Sequence, residues 1–148
     1  MKVFKLIEIS AAHLLDSVEK CRRLHGHNYR VEVELEGTEG KDGMLVDFNE
    51  IKAVVMSYDH KFLAGRSQVI SLDEESFMLK LDDKYKVVFP NEWVKQLPET
   101  STAENISKAI AQDLEKAIYS KMTVKRIKVK VYETSSSYAE HERVVKYD

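Results

Sequence analysis

Cysteine occurs once in this chain, tryptophan once and proline twice. One cysteine cannot close an internal disulfide, and that fits a reducing, cytoplasmic setting. No apolar run approaches the ~20 residues of a membrane span, so no membrane partner is expected. A signal-peptide pattern is missing too: Met1-Lys2-Val3-Phe4 leads straight into a strand-like run broken by Glu8. Neither sign of charge prevails. The formal net charge of −2 supplies no global basic field to draw in nucleic acid. The chain contains no internal repeat and no low-complexity tract.

What is present suits a single packed domain over residues 1–148. Apolar residues make up 43% of the chain, enough for a core, and charged residues 32%, enough for a well-solvated surface.

The densest chemistry lies in residues 21 to 29, Cys21-Arg22-Arg23-Leu24-His25-Gly26-His27-Asn28-Tyr29. If this stretch is extended, His25 and His27 project from one face, because strand side chains alternate. Two imidazoles at that spacing can grip one ion, with Gly26 adding no bulk between them. His13, just after the first apolar run, is the natural third ligand. Three neutral imidazoles with a fourth position open is the pattern of a catalytic zinc. Two other readings stand beside it. His25 and His27 can be plain surface polarity, or Cys21 can be a fourth ligand that closes the site and makes it structural. Lys20, Arg22 and Arg23 flank the thiol, and neighbouring cations favour thiolate. With Arg30 they form a local basic cluster able to receive phosphates or simply to solvate a loop.

Residues 2 to 10 read as a first strand, 11 to 26 as a loop, and 27 to 37 as a second strand. In the latter Val31, Val33 and Leu35 alternate with Glu32, Glu34 and Glu36, which makes one face buried and one wet. Gly37 to Gly43 is a turn. Asp47 with Glu50 forms a capping-box pair that opens a helix, with Phe48, Ile51, Val54, Val55 and Tyr58 as its apolar stripe. The helix ends near Asp59-His60, which is either an acid–base pair or a C-terminal cap. Residues 66 to 90 contain three further β segments. A short connector holding Trp93 follows, between Pro90 and Pro98. Ser101 with Glu104 is a second capping box, opening a helix that carries Ile106, Ile110, Leu114 and Ile118. Strands at 123 to 133 and 138 to 147 complete the chain. The order is β-β-α, an insert, then α-β-β. That predicts an α+β fold with two helices covering one face of a four-stranded antiparallel sheet.

Glu133 shares the parity of Ile127, Val129 and Val131. A carboxylate on that side either marks the end of the strand, facing water, or accepts two parallel hydrogen bonds from a guanidine-like edge such as a pterin offers.

Taken together, these blocks resemble the family of 6-pyruvoyltetrahydropterin and 6-carboxytetrahydropterin synthases. The resemblance is carried by Ser10-Ala11-Ala12-His13, Cys21-x-x-x-His25-Gly26-His27-Asn28-Tyr29 and Gly43-Met44-Leu45-Val46-Asp47-Phe48. It continues in Asp59-His60, Thr102-Ala103-Glu104-Asn105 and Val131-Tyr132-Glu133-Thr134. It implies that His13, His25 and His27 bind zinc and that Cys21 transfers a proton. Asp59 and His60 would complete the acid–base set from a neighbouring subunit. Glu133 would anchor the pterin, with Thr102 and Glu104 near its ring.

The implied fold is the tunnelling fold, in which the sheets of three subunits join into a barrel and two trimers stack as a homo-hexamer. The implied substrate is a pterin triphosphate, 7,8-dihydroneopterin triphosphate. Cys21 lies four residues before His25, as in the carboxy-type members, so the expected reaction is 6-carboxytetrahydropterin synthesis toward 7-deazapurine bases of tRNA. A pyruvoyl-forming relative and a non-catalytic zinc- or pterin-binding assembly are the alternatives. The segment at about 64–97 is longer than in compact members and reads as an insert.

Overall fold

The computed structural model describes residues 1–148, apart from the side chains of Ser71 and Leu72. Its centre is a meander of β1 (Lys2–His13), β2 (His25–Gly37), β8 (Val124–Thr134) and β9 (Ser137–Val144). Each neighbouring pair is antiparallel. The odd-numbered residues of β1, β2 and β8 face two helices, α1 (Phe48–Met56) and α2 (Ala103–Ile118). Ile7, Ile9, Val31, Val33, Val129 and Val131 pack there against Ile51, Val55, Ile106, Ile110 and Leu114. Burying this β-branched face provides the main favourable term of folding.

The four expected strands make up one end of a larger sheet. Two further strands, β3 (Phe62–Gly65) and β7 (Val94–Leu97), run parallel to each other, and β3 runs parallel to β1. The order is β7-β3-β1-β2-β8-β9, six strands rather than four. Both are four residues long. Each residue of β3 is buried, so the strand shows no alternation by which to recognise it. The connector expected between Pro90 and Pro98 is therefore a short 3-10 turn followed by β7. Between β3 and β7 lies a separate three-stranded sheet, β4 (Val69–Leu72), β5 (Ser76–Lys80) and β6 (Lys86–Pro90), where the three added β segments were expected.

The first two strands are longer than their apolar alternation suggests. β1 continues through Ala11-Ala12 to His13, and β2 starts at His25, so part of the expected 11–26 loop is sheet. Both caps differ from the capping boxes read in the sequence. The Asp47 carboxylate accepts from the Asn49 N–H, while Glu50 pairs instead with Lys121. At α2 the cap is Thr102, not Ser101. Its hydroxyl accepts from the Asn105 N–H, and the Asn105 amide reaches back to Thr100. Glu104 is thereby free of any capping duty.

Candidate metal centre and adjoining clefts

The ladder between β1 and β2 pairs His13 directly with His25, and Ala11 with His27. The parity of both strands turns all three imidazoles toward the helix side. One nitrogen from each ring lies within 4.8 Å of the others. Ring centres are 4.6 Å apart for His13 and His25, and 5.1 Å from either to His27. Gly26 is required between the two ligands of β2, since a Cβ there would meet the Ala11 carbonyl oxygen at 2.9 Å.

Backbone carbonyls set the tautomers. His13 Nδ1 is 2.7 Å from the Ser101 carbonyl oxygen, and His25 Nδ1 is 2.7 Å from that of Arg23. A carbonyl accepts only, so each Nδ1 must carry the proton and each Nε2 keeps its lone pair. His13 is 1% exposed, and its Nε2 has no hydrogen-bond partner. Burial, reinforced by the neighbouring imidazoles, lowers its pKa to about 4 against the pull of the Ser101 bond. A neutral, buried, unpartnered imidazole beside two others is the donor set a zinc-like ion requires.

Glu133 sits at the irregularity where β8 and β9 shift register. β8 runs on to Thr134, so the carboxylate does not lie past the strand end. Its Oε1 is 3.9 Å from His13 Nε2. It lines a cleft of about 210 Å³ with Leu15, Thr102, Glu104, Ser137 and Tyr138. The three residues expected to contact substrate, Glu133, Thr102 and Glu104, thus come together from β8 and from the start of α2, beside the histidines.

Asp59 and His60 do meet: His60 Nδ1 and Asp59 Oδ2 are 2.8 Å apart. The pair lies past the C-terminus of α1, so His60 is not its cap. Ser10 locks it to the outer edge of β1, donating its N–H to Asp59 Oδ1 at 2.8 Å and accepting the His60 N–H at 2.7 Å. Burial opposes the charge on Asp59, but the bonds from Ser10 and His60 outweigh it and hold the carboxyl below its ordinary range. His60 adopts a left-handed backbone, φ 55°, unusual for a residue with a side chain. This pair does not line the Glu133 cleft. His60 opens instead onto a larger, mostly apolar cleft of about 490 Å³, with Ala12, His27, Phe62, Phe89 and Trp93.

Cys21 lies in a 3-10 turn (Glu19–Arg22) and is half-buried. Its thiol is not part of the three-histidine cluster. Two of the basic residues grouped with it have partners. Arg22 Nε donates to the Asp16 carbonyl at 2.8 Å, and Arg30 pairs with Glu32 at 2.8 Å.

Sequence reasoning missed two contributors. Tyr29 is fully buried, its ring is 5.3 Å from that of His27, and its hydroxyl lacks a partner. Burial, and then the Glu133 carboxylate, push its phenol up. Tyr29 continues the His25, His27 parity, so the pattern was available. Ser101, whose carbonyl holds His13, is 88 positions away along the chain and gave no local signal.

A sheet covered by two helices, with three convergent imidazoles and an acidic cleft at one end, defines a metal-competent small-molecule site. The family model described as 6-pyruvoyl tetrahydropterin synthase matches residues 2–144, and the chain belongs to that family. A 6-carboxy-5,6,7,8-tetrahydropterin synthase of Haemophilus influenzae is 28% identical, over 95% of this chain and 98% of its own. A Pyrococcus abyssi protein provisionally given the same name is 35% identical, over 94% of this chain and 88% of its own. Among solved structures, the 6-pyruvoyl tetrahydropterin synthase of Plasmodium vivax superposes with a TM-score of 0.73 at 26% identity, covering 98% of this chain and 99% of that one.

Proposed function

We propose that this chain is a zinc-dependent 6-carboxy-5,6,7,8-tetrahydropterin synthase. It would convert 7,8-dihydroneopterin triphosphate and water to carboxytetrahydropterin, acetaldehyde and triphosphate, a cytoplasmic step toward 7-deazapurine bases of tRNA. The observation that carries this reading is the unpartnered, buried Nε2 of His13, converging with His25 and His27 beside the Glu133 carboxylate. The names borne by the relatives in Haemophilus and Pyrococcus support the carboxy product.

His13, His25 and His27 would hold the ion. When bound, zinc supplies Lewis acidity that makes C–H bonds beside coordinated side-chain hydroxyls more acidic. Glu133 accepts the 2-amino and N3 hydrogens of the pterin and fixes its ring. Thr102 and Glu104 line that ring's cleft. Cys21 as thiolate removes a side-chain proton, and His60, oriented by Asp59, moves others.

Asp59 and His60 lie apart from the Glu133 cleft of their own chain, which supports a site completed by a neighbouring subunit. The assembly would be a homo-hexamer whose sheets close into a barrel, leaving no free edge between subunits. The whole chain is one domain, with the segment at about 64–97 inserted in it.

The pyruvoyl name of the superposing Plasmodium structure favours a second reading, triphosphate elimination without carbon–carbon cleavage. A product assay separates the two. Zinc-loaded protein is incubated with 7,8-dihydroneopterin triphosphate and the products are followed by mass spectrometry. Carboxytetrahydropterin with matching acetaldehyde is expected. Pyruvoyltetrahydropterin without acetaldehyde would replace the first reading with the second, and no turnover would remove both.

A further inference from the structure

The segment between His13 and His25 has few anchors of its own. Residues 16 to 20 are all exposed. The loop closes on itself through the Leu15 N–H, which donates to the Cys21 carbonyl at 2.8 Å. The Cys21 N–H in turn donates to the Val18 carbonyl at 2.9 Å. Its root is Leu14, which is 2% exposed. Leu14 does not join the main core. It packs in a second apolar cluster with Phe62, Ala64, Leu79 and Val94, which Phe77, Val87 and Phe89 of the three-stranded sheet complete.

One polar side chain fixes that root. Gln68, 5% exposed, stands at the entrance to the three-stranded sheet. Its Nε2 donates to the Leu14 carbonyl at 3.3 Å, and its Oε1 accepts the Gly65 N–H at 2.8 Å. A buried glutamine survives only with such partners, and the Leu14 carbonyl loses this donor without it. Asp16 and Arg22 of the loop also share a polar cleft with Gln68, Lys80 and Asp83. Lys80 and Asp83 are themselves paired at 2.9 Å.

The geometry points to Gln68, backed by the β5–β6 hairpin, as a positioning residue for the Cys21 turn. The path is short: Gln68 holds the Leu14 carbonyl, the next amide is that of Leu15, and this amide holds the Cys21 carbonyl. The inserted segment is therefore a support for the loop that carries the thiol. The functional consequence rests on the role proposed above for Cys21, but the mechanical claim does not.

The test uses Gln68→Met, which removes both hydrogen bonds at similar volume, and Gln68→Glu, which removes the donor to Leu14. Amide exchange, Cys21 alkylation by iodoacetamide, zinc content and steady-state kinetics are measured on each. Loss of a donor to a buried carbonyl predicts about tenfold faster exchange at Leu15 and Cys21. Alkylation should accelerate several-fold, while β2 and β8 amides and zinc content stay unchanged. kcat falls with little change in KM.

Unaltered exchange and alkylation at Cys21 in folded variants would overturn the proposal. Accelerated exchange and alkylation with unchanged kcat would uphold the positioning and remove Cys21 from catalysis. If the variants do not fold, exchange of the wild-type chain in rising urea decides. Opening of Leu15 and Cys21 together with β5 is expected, and their opening independently of it would overturn the proposal.

Discussion

At the scale of single residues, two carboxylates carry distinct predictions. Glu133 faces His13 from the register shift of β8, its Oε1 3.9 Å from the imidazole Nε2. Glu133→Gln should weaken pterin binding about 10- to 100-fold, since a hydrogen bond to a charged acceptor contributes ~1.5–3 kcal/mol. Zinc content should not change. Calorimetric titration with a pterin checks this, and equal affinity in both proteins would remove Glu133 from the ring's anchor.

Asp59 makes a pH prediction. Its carboxyl is held below its unfolded value by Ser10 and His60, against the opposing effect of burial. A depressed pKa contributes stability above the unfolded value and loses it as pH falls through the folded one. Asp59→Asn should therefore lower the urea midpoint at pH 7, and its gap to the parent chain should narrow on acidification through the carboxylate range. A gap that widens on acidification would contradict this assignment.

The residues were the most legible level. His25, His27 and Glu133 could be singled out because parity predicts which face a strand residue takes, whereas His13, in a stretch read as loop, was singled out by its place after the first apolar run. Contacts made by backbone carbonyls, such as Ser101 to His13, leave no trace in side-chain pattern.

At the scale of elements, legibility followed burial pattern. β2 was plain, because one of its faces is apolar and the other acidic. The ends of β1 and β2 were not, because Ala11, Ala12, His13, His25 and Gly26 show no apolar–polar alternation. β3 was missed for the opposite reason, since all four of its residues are buried and its faces show no contrast, and β7, four residues at the edge of the sheet, is too short to show a period. The two helices were found through their stripes; Asp47 caps α1 as expected, though without Glu50 as its partner, whereas the cap of α2 was placed one residue early. Several neighbouring Ser, Thr and Asn residues compete for one N-cap, and the fold selects Thr102. The core of α2 gives a stability prediction. Ile110 is fully buried between sheet and helix. Ile110→Ala should cost about 2–5 kcal/mol, as large-to-small core changes do. Urea denaturation measures it, and a loss well below that range would mean that the site collapses around the deletion.

At the scale of the whole molecule, the chain places its proposed acid–base groups on different segments. Cys21 hangs on the loop between β1 and β2, and His60 lies on the outer edge of β1 facing the larger cleft. If a site takes Cys21 from one subunit and His60 from another, two inactive variants can complement each other. Cys21→Ala and His60→Ala should each be inactive alone, and co-assembled mixtures should recover part of the turnover. Mixtures as inactive as their components would place the whole set within one chain.

The most direct test of the site as a whole lies at the three imidazoles. Zinc content after dialysis should be stoichiometric in the parent chain. It should be lost in His13→Ala and in His27→Ala, with both variants folded. A parent chain that retains no zinc or related ion, or variants that retain it fully, would contradict a metal centre built on His13, His25 and His27.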